Sequence, residues 1–461
     1  IGLSYPIKNY GNFDIAFVKG NTLSISFSLG ITSKKNKIKR EKFKPKIKKN
    51  NIGSSKKDIF YRDLLDNLAS NNIFLQTANL NKDNASLTIQ TPDLRNHIQA
   101  AFRTAKVTKD VADNNGYKVR NIDVGNISWG IENNNIKVIA LDLKNFNSQV
   151  PELIKRNTSI KNIKPYDYRN DEFKPLIKFP IFFNSINPDI RTHVGSPQKF
   201  LYSGFGFSLD NEIQFSRNIV LTSSLGFNIS NNFDEKISDP NSISRHVRTE
   251  VLDYLQEGDI YLKRMQLDYI FSPKKNIYTK ISAGILEDMY GGIGFEFLYK
   301  PFESNFSIGY DFYSVKRRTY EQRFKFLDEP KIKTDHINFS FMMFKPEILI
   351  KYSYGNYLAG DKGYTLDLSR VSDIGWKAGF YFTRTDMSFI TFGEGSFDKG
   401  FYFSIPNDVL FKSFSKGNIG FGLKTMTRDG GQKLFIHNKL EDIFTNSNRR
   451  ELNMGWYGFD K

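Results

Sequence analysis

Strict alternation of apolar and polar residues constrains this chain more than any other feature. In "LTSSLGFNIS", residues 221–230, one register reads Leu221, Ser223, Leu225, Phe227 and Ile229. The other reads Thr222, Ser224, Gly226, Asn228 and Ser230. Successive side chains of a β-strand point to opposite faces, so this stretch makes a strand with one greasy and one small, polar face. From Ser203 the pattern scarcely stops. It runs through Met265–Phe271, Ile277–Ile285, Ile293–Tyr299, Phe306–Phe312, Ile337–Met343 and Ile348–Tyr354, then Tyr364–Leu368, Trp376–Phe382, Phe401–Ile405 and Ile419–Leu423. That makes about twelve strands, each near the ~10 residues a tilted strand needs to cross a bilayer.

The opposite register carries Gln266, Asp268, Lys280, Ser282, Glu296, Asp311 and Lys377. Charges in mid-strand suit an aqueous lumen or the solvent face of a soluble sheet. Strand number decides between them, because soluble sandwiches rarely need a dozen long consecutive strands with aromatics so regularly on one face. The connections alternate as well. Short turns fall at 216–218, 272–276, 301–304, 345–347 and 372–375, and longer loops at 231–261, 317–335 and 386–398. That is the habit of outer-membrane barrels. The expected fold is therefore mainly β, a transmembrane outer-membrane-type antiparallel β-barrel.

Composition agrees. There are 42 Phe and 23 Tyr against 3 Trp, while mean hydropathy is −0.46. A helical membrane protein could not have that balance, but a barrel needs only half of each strand to be apolar. No apolar run approaches the ~20 residues of a transmembrane helix. With no cysteine, neither disulfides nor a Cys-based metal site is available. The net charge of +17 invites a nucleic-acid reading, yet residues 34–57 hold twelve Lys or Arg and one acid, so +11 of it lies in one segment. That run has no helical stripe and reads as a solvated basic linker, with a patch for anionic lipid, lipopolysaccharide or an acidic polymer as the second reading. No nucleic-acid partner is expected.

Five parts separate along the chain. Residues 1–31 are barrel strands, 32–57 the basic linker, 58–145 an inserted small α+β domain, 146–200 an extended tether rich in Pro and Asn, and 201–461 the main barrel segment. In the insert, Tyr61, Leu64, Leu65 and Leu68 have helical spacing. Strands follow near 73–79 and 85–90. A second helix starts at "TPDL", with Thr91 as N-cap and Pro92 at its first position, and stops at Gly116. Strands near 117–124 and 136–143 complete an αββαββ unit. With about three strands before the insert and twelve after it, the count is odd, whereas bacterial barrels are even. The chain also opens in mid-strand, so a missing upstream portion is expected. If short turns are periplasmic, the same count places the insert outside the cell.

Several loops then resemble the YjbH family of exopolysaccharide-biosynthesis outer-membrane proteins: "PDIRTHVG" (188–195), "RHVRTEVLDYLQEGD" (245–259), "AGILEDMYGGIGFEFLYKPF" (283–302), "GNYLAGDKGYTLDLSR" (355–370), "FGEGSFDKGFYFSIP" (392–406) and "TRDGGQKL" (427–434). The resemblance implies a barrel in the outer membrane of a Gram-negative bacterium, in contact with lipid and lipopolysaccharide. It further implies a part in secreting or assembling an exopolysaccharide or capsular polysaccharide, as a conduit beside a periplasmic polysaccharide-export protein. The basic balance favours an acidic polymer.

No enzyme, metal or cofactor is expected. The five histidines, His97, His193, His246, His336 and His437, lack metal-ligand spacing. Glu394 and Asp398 of "FGEGSFDKG" are the tempting carboxylate pair, since glycan hydrolysis needs two carboxyls about 5–10 Å apart. The plainer reading is a hydrogen-bonded loop at the barrel mouth with Asp398 and Lys399 paired. Asp361 and Lys362 read as a tight turn, and Arg428 and Asp429 as a structural ion pair beside a turn. These seven residues are the candidate lumen or loop contacts for polymer. Two rivals to a conduit stand beside it: a glycan-modifying enzyme using Glu394 and Asp398, and a plugged barrel that recruits export partners through residues 58–145.

Overall fold

The alternating stretches pair with their sequence neighbours, strand after strand. A computed structural model describes residues 2–7, 11–18, 22–29, 43–50, 53–145, 151–162, 170–194, 201–233, 246–343, 346–392, 397–411, 413–424 and 429–458. Residues 1–41 form a unit of their own. In it β1 (Gly2–Ile7), β2 (Gly11–Val18) and β3 (Thr22–Leu29) make an antiparallel meander, with Phe13 opposite Phe27 and Ile15 opposite Ile25.

The second unit holds two sheets. The smaller belongs to the inserted domain and follows the expected αββαββ order: α1 (Lys56–Ser70), β4 (Phe74–Asn81), β5 (Asn84–Gln90), α2 (His97–Asn114), β6 (Asn121–Ser128) and β7 (Ile131–Ile139). Beyond these, α3 (Pro151–Asn157) leads into β8 (Ser159–Lys161), which adds a fifth strand at the edge. The helices bury their apolar stripes on the sheet. Leu64, Leu68, Ile98, Ala101, Phe102 and Ala105 meet Ile89, Ile122, Val124 and Ile136, all without exposure. Thr91 is not the cap of α2. Its hydroxyl donates to Leu94 O at 3.4 Å, closing a turn before the helix, and Asn96 caps α2 by accepting from Gln99 N at 3.1 Å. The helix stops where expected, with Gly116 in the left-handed region at φ +71°. The end of the basic linker is ordered. Backbone N–H groups of Lys46, Lys48 and Asn50 donate to Asn71, Asn67 and Asp63 of the α1 region.

The larger sheet is a thirteen-stranded antiparallel meander. Its strands are β9 (Ile181–Val194), β10 (Leu201–Gln214), β11 (Ile219–Asn231), β12 (Ile260–Lys274), β13 (Ile277–Ile285), β14 (Tyr290–Tyr299) and β15 (Phe306–Arg317). They continue as β16 (Ile332–Met342), β17 (Ile348–Asn356), β18 (Lys362–Val371), β19 (Lys377–Thr385), β20 (Asp398–Pro406) and β21 (Asn418–Lys424). A short helix, α4 (Val251–Gln256), sits in the loop before β12.

Burial in this sheet is inverted. Gln266, Asp268, Lys280 and Ser282 are fully buried, whereas Ile293, Ile337, Phe380, Phe401 and Phe421 are 53–58% exposed. In water that arrangement would expose an apolar patch far beyond what a soluble monomer tolerates. Facing lipid it is the stable one. The apolar register of the opening stretch is the lipid-facing one: Phe227 and Ile229 are exposed while Thr222 and Ser224 are buried.

Two expectations need correction. The described residues of segment 146–200 do not form a tether. Phe173 exchanges backbone hydrogen bonds with Ala78 and stacks on Tyr61, α3 and β8 join the small domain, and residues 181–194 are β9. Its Pro and Asn content hid a strand that pairs with β10 along fourteen residues. That added strand also reverses the side on which the insert enters. β9 starts at the short-turn end, and the domain sits there. Arg217 of the 216–218 turn donates to Gln76, Asn162 to Asn276 at 3.1 Å, and Arg95 to Ile374 O at 3.2 Å. The domain is therefore at the short-turn end of the sheet, not at the long-loop end that a count of twelve strands gives.

Candidate functional site

The pairing register lines up the inward polar residues in rows. Lys280 lies opposite Glu296, Glu296 opposite Asp311, and Asp311 opposite His336. A second row joins Ser340, Lys351, Asp367 and Tyr381. Charges buried this way are costly unless something pairs them. Part of the pairing is across strands: Lys280 and Glu296 form an ion pair at 2.9 Å, and Tyr313 OH donates to Glu296 at 2.6 Å. Gly294 permits the latter, because a Cβ there would fall on the Tyr313 ring.

The chain itself supplies the rest. Residues 429–458, which follow the last strand, form no strand. They thread along the polar face from the long-loop end to the short-turn end. Near the top, Phe435 N donates to Glu287 at 3.0 Å, and Arg248 grips the same carboxylate with two hydrogen bonds, at 2.7 and 3.0 Å. Lower down, Lys280 donates to Asn438 O at 2.8 Å and Gln266 to His437 O at 3.0 Å. Leu440 N donates to Glu296 at 2.9 Å. Glu441 accepts from Lys351 at 2.8 Å and Ser340 at 2.6 Å. Phe444 stacks on Tyr278 with ring centroids 4.0 Å apart, and Lys300 reaches Thr445 O at 3.3 Å.

At the short-turn end the thread enters the α+β domain. Asn134 donates to Asn446 O at 3.0 Å and Asn96 to Gly455 O at 2.6 Å. Leu452 and Trp456 complete the domain's apolar core, Trp456 edge-on to Phe102 at 5.8 Å. Arg95 ties the domain to the sheet through Asp408 at 2.9 Å. Two titratable groups of the domain are strongly displaced. Burial lowers the His97 imidazole to about 3, with Lys416 adding to the effect. Burial raises the Glu132 carboxyl to about 7, opposed by the Asn135 amide and reinforced by Asp171.

Three of the seven candidate residues converge, and they hold the thread. The Asp429 carboxylate accepts from the backbone N–H groups of Val247, Arg248 and Thr249 at 2.7, 3.0 and 3.2 Å, and from the Thr249 hydroxyl at 2.7 Å. Asp361 accepts from Gly431 N at 2.8 Å, and Asp398 from Gln432 at 3.2 Å. All three acids are buried at the long-loop end. The Lys362 and Lys399 ammonium groups lie over the rings of Tyr354 and Phe397 at 5.4 and 5.0 Å. Asp398 accepts from the backbone N–H of Lys399 at 2.9 Å. Glu394 and Arg428 lie outside the described residues. Sequence reasoning missed the thread. Its signal was the loss of alternation after Leu423.

A sheet with lipid-compatible aromatics outside, charges inside and its own chain along the polar face defines an outer-membrane-type β-barrel fold. The YjbH family model, described as exopolysaccharide biosynthesis protein YbjH, matches residues 1–446. The chain belongs to that family. A relative from Escherichia coli (strain K12), described as the uncharacterized lipoprotein YjbH, is 33% identical over 290 residues. That match takes in 61% of this chain and 41% of the relative, so less than half of the relative's length is spanned. Among solved structures, Salmonella typhi OmpF in complex with daunomycin aligns at 9% identity and a TM-score of 0.30, over 55% of this chain and 93% of that one. A loop L8 deletion mutant of Vibrio cholerae OmpT aligns at 10% identity and 0.25, over 53% and 93%.

Proposed function

We propose that this protein assists the secretion or assembly of an exopolysaccharide as a plugged outer-membrane barrel rather than as a permanently open conduit. The single observation that carries this reading is the thread of residues 429–458, bonded along the polar face and clamped at both ends. In this reading lipid and lipopolysaccharide surround the apolar face, and the α+β domain at the short-turn end is the docking platform for a periplasmic polysaccharide-export protein. Movement of that domain would pull on the plug directly, since Trp456 and Leu452 belong to its core. No catalytic step is assigned. The engagement of Asp398 with Gln432 and Lys399 supports a structural part for that carboxylate.

The test is single-channel conductance of the full chain in planar bilayers, with and without acidic polysaccharide. A closed baseline from protein that inserts and folds is the expected result. Large discrete steps that the polymer blocks would overturn the plug and restore the conduit.

A further inference from the structure

The outward face of the sheet ends differently on different strands. Toward the long loops, its apolar register stops at Ile293, Phe312, Ile337 and Tyr354 on β14 to β17. The next outward position on those strands holds Gly291, Ser314, Asp335 and Asn356. On β18, β19 and β20 the register stops at Tyr364, Phe382 and Phe401, and the next outward residues are Lys362, Arg384 and Lys399. All three cations are exposed, whereas Asp361 and Asp398, chain neighbours of the two lysines, are buried. Two lysines expected at a lumen or loop therefore stand on the lipid-facing register.

The three cations keep step with the apolar band. Tyr364 lies opposite Arg384 and Phe382 opposite Lys399, so each cation sits two residues lower than the one on the preceding strand. The band beneath them steps down by the same amount, as strands tilted across a bilayer require. Diagonal neighbours of this kind stand about 7–8 Å apart, close enough for long side chains to act on one ligand. Among the described residues neither Lys362 nor Arg384 has a carboxylate within 4 Å of its charged group. The acid nearest by register is Asp386, whose carboxylate accepts from the Lys362 backbone N–H at 2.9 Å. Asp335 lies two strands away and accepts from the Asn356 amide at 2.6 Å. Counting Asp386 against the three cations, the described rim of β18 to β20 keeps two positive charges.

Lys and Arg are costly at the bilayer midplane and nearly free at its edge, so this row marks the edge. Tolerance alone does not gather three of them on adjacent strands. A cationic row directly above an apolar band fits a molecule that is anionic above and apolar below. A zwitterionic lipid would satisfy the band and not the row, and free phosphate the row and not the band. The planar fork of Arg384 suits a phosphate in particular.

We propose that the rim of β18 to β20 binds the phosphorylated head of a lipid A glycolipid. Its phosphates lie on Lys362, Arg384 and Lys399, and its acyl chains on Tyr364, Phe382 and Phe401. The inference rests on the proposed placement in the outer membrane with the long loops outward, and is independent of the plug.

Native mass spectrometry of the full chain in detergent micelles tests this. The probes are bisphosphoryl lipid A, monophosphoryl lipid A and phosphatidylglycerol, with inorganic phosphate as competitor. Bisphosphoryl lipid A is expected to bind about fivefold or more tighter than the monophosphoryl form, the size of one cation's contact with an anionic head group. Lys362→Gln, Arg384→Gln and Lys399→Gln combined weaken it about a hundredfold, with folding checked by heat-modified gel mobility. Lys274→Gln with Lys275→Gln, which removes exposed charge at the opposite, short-turn rim, leaves binding unchanged. Equal binding of the two lipid A forms, indifference to the triple substitution, or an equal loss in the short-turn pair would overturn the inference. So would phosphatidylglycerol binding as tightly as lipid A, which marks a rim for any anionic lipid, or displacement by inorganic phosphate, which marks a site for free anions. No lipid A preference with a closed conductance baseline removes this site and leaves the plugged barrel standing. Open conductance with charge-dependent lipid A binding removes the plug and leaves the site.

Discussion

The α+β domain and the thirteen-stranded sheet solve opposite problems with the same kinds of side chain. In the domain, Phe102 and Val124 are fully buried and charge lies outside, because water surrounds it. In the sheet, Lys280 and Asp268 are fully buried and phenylalanines face out, because lipid surrounds it. Which residues count as core is thus set by the solvent on the other side. The thread belongs to both regions: along the sheet it pairs the buried charges and buries Leu434, Ile436, Leu440 and Phe444, and in the domain Leu452 and Trp456 join the core.

Four measurements would break or sharpen that contrast. The largest effects are expected from the two opposite cores. Phe102→Ala should cost about 3–5 kcal/mol, felt as lost protection of the domain's amides in hydrogen exchange. Lys280→Met should cost a similar 3–5 kcal/mol in the sheet, since it strands Glu296. Pairing it with Glu296→Leu should recover most of the loss in a double-mutant cycle. If Lys280→Met alone is neutral in denaturant titrations, the polar face is wet and the analogy to a core fails.

Next comes the outward face. Ile293→Arg should destabilise by about 2–4 kcal/mol on refolding into bilayers, whereas an exposed isoleucine of a soluble sheet would tolerate the change. A neutral result would return the sheet to water.

The smallest effect is electrostatic and confined to the domain. Glu132 has a folded-state pKa of about 7 against an ordinary 4.5, so the folded domain holds the extra proton and stability is lost as pH rises between those values. Glu132→Gln should remove that slope and gain about 1–3 kcal/mol at pH 8, read from hydrogen exchange of β6 and β7. His97 acts in the other direction. Its pKa falls from 6.5 to about 3, so stability declines as pH drops below 6.5. In the Glu132→Gln protein only that rise with pH should remain.

Much of the fold was legible because strands and helices write their period into the sequence. Alternation located twelve of the thirteen strands, and helical spacing found α1 and the body of α2. β9 escaped because "FFNSINPDI" breaks the alternation with Asn and Pro, and only pairing with β10 makes it a strand. The cap of α2 escaped because Thr91-Pro92 and Asn96 both have the right chemistry, and the turn closed by Thr91 assigns it to Asn96. The candidate carboxylates were visible as residues in loops. Their task was not, since Asp361, Asp398 and Asp429 have meaning only beside Gly431, Gln432 and the 247–249 backbone.

What the amino-acid sequence determined by itself was two-facedness: period-two strands with aromatics on one side and charges on the other, and a small domain patterned for water. Period is a local property, carried by neighbours in the chain. Tertiary structure alone decided the side on which the domain sits, which a single added strand inverts. It alone decided that residues 429–458 fill the polar face. Both depend on partners some 90 to 360 positions away along the chain, such as Lys351 for Glu441 and Asn96 for Gly455, and long-range pairing leaves no period to read.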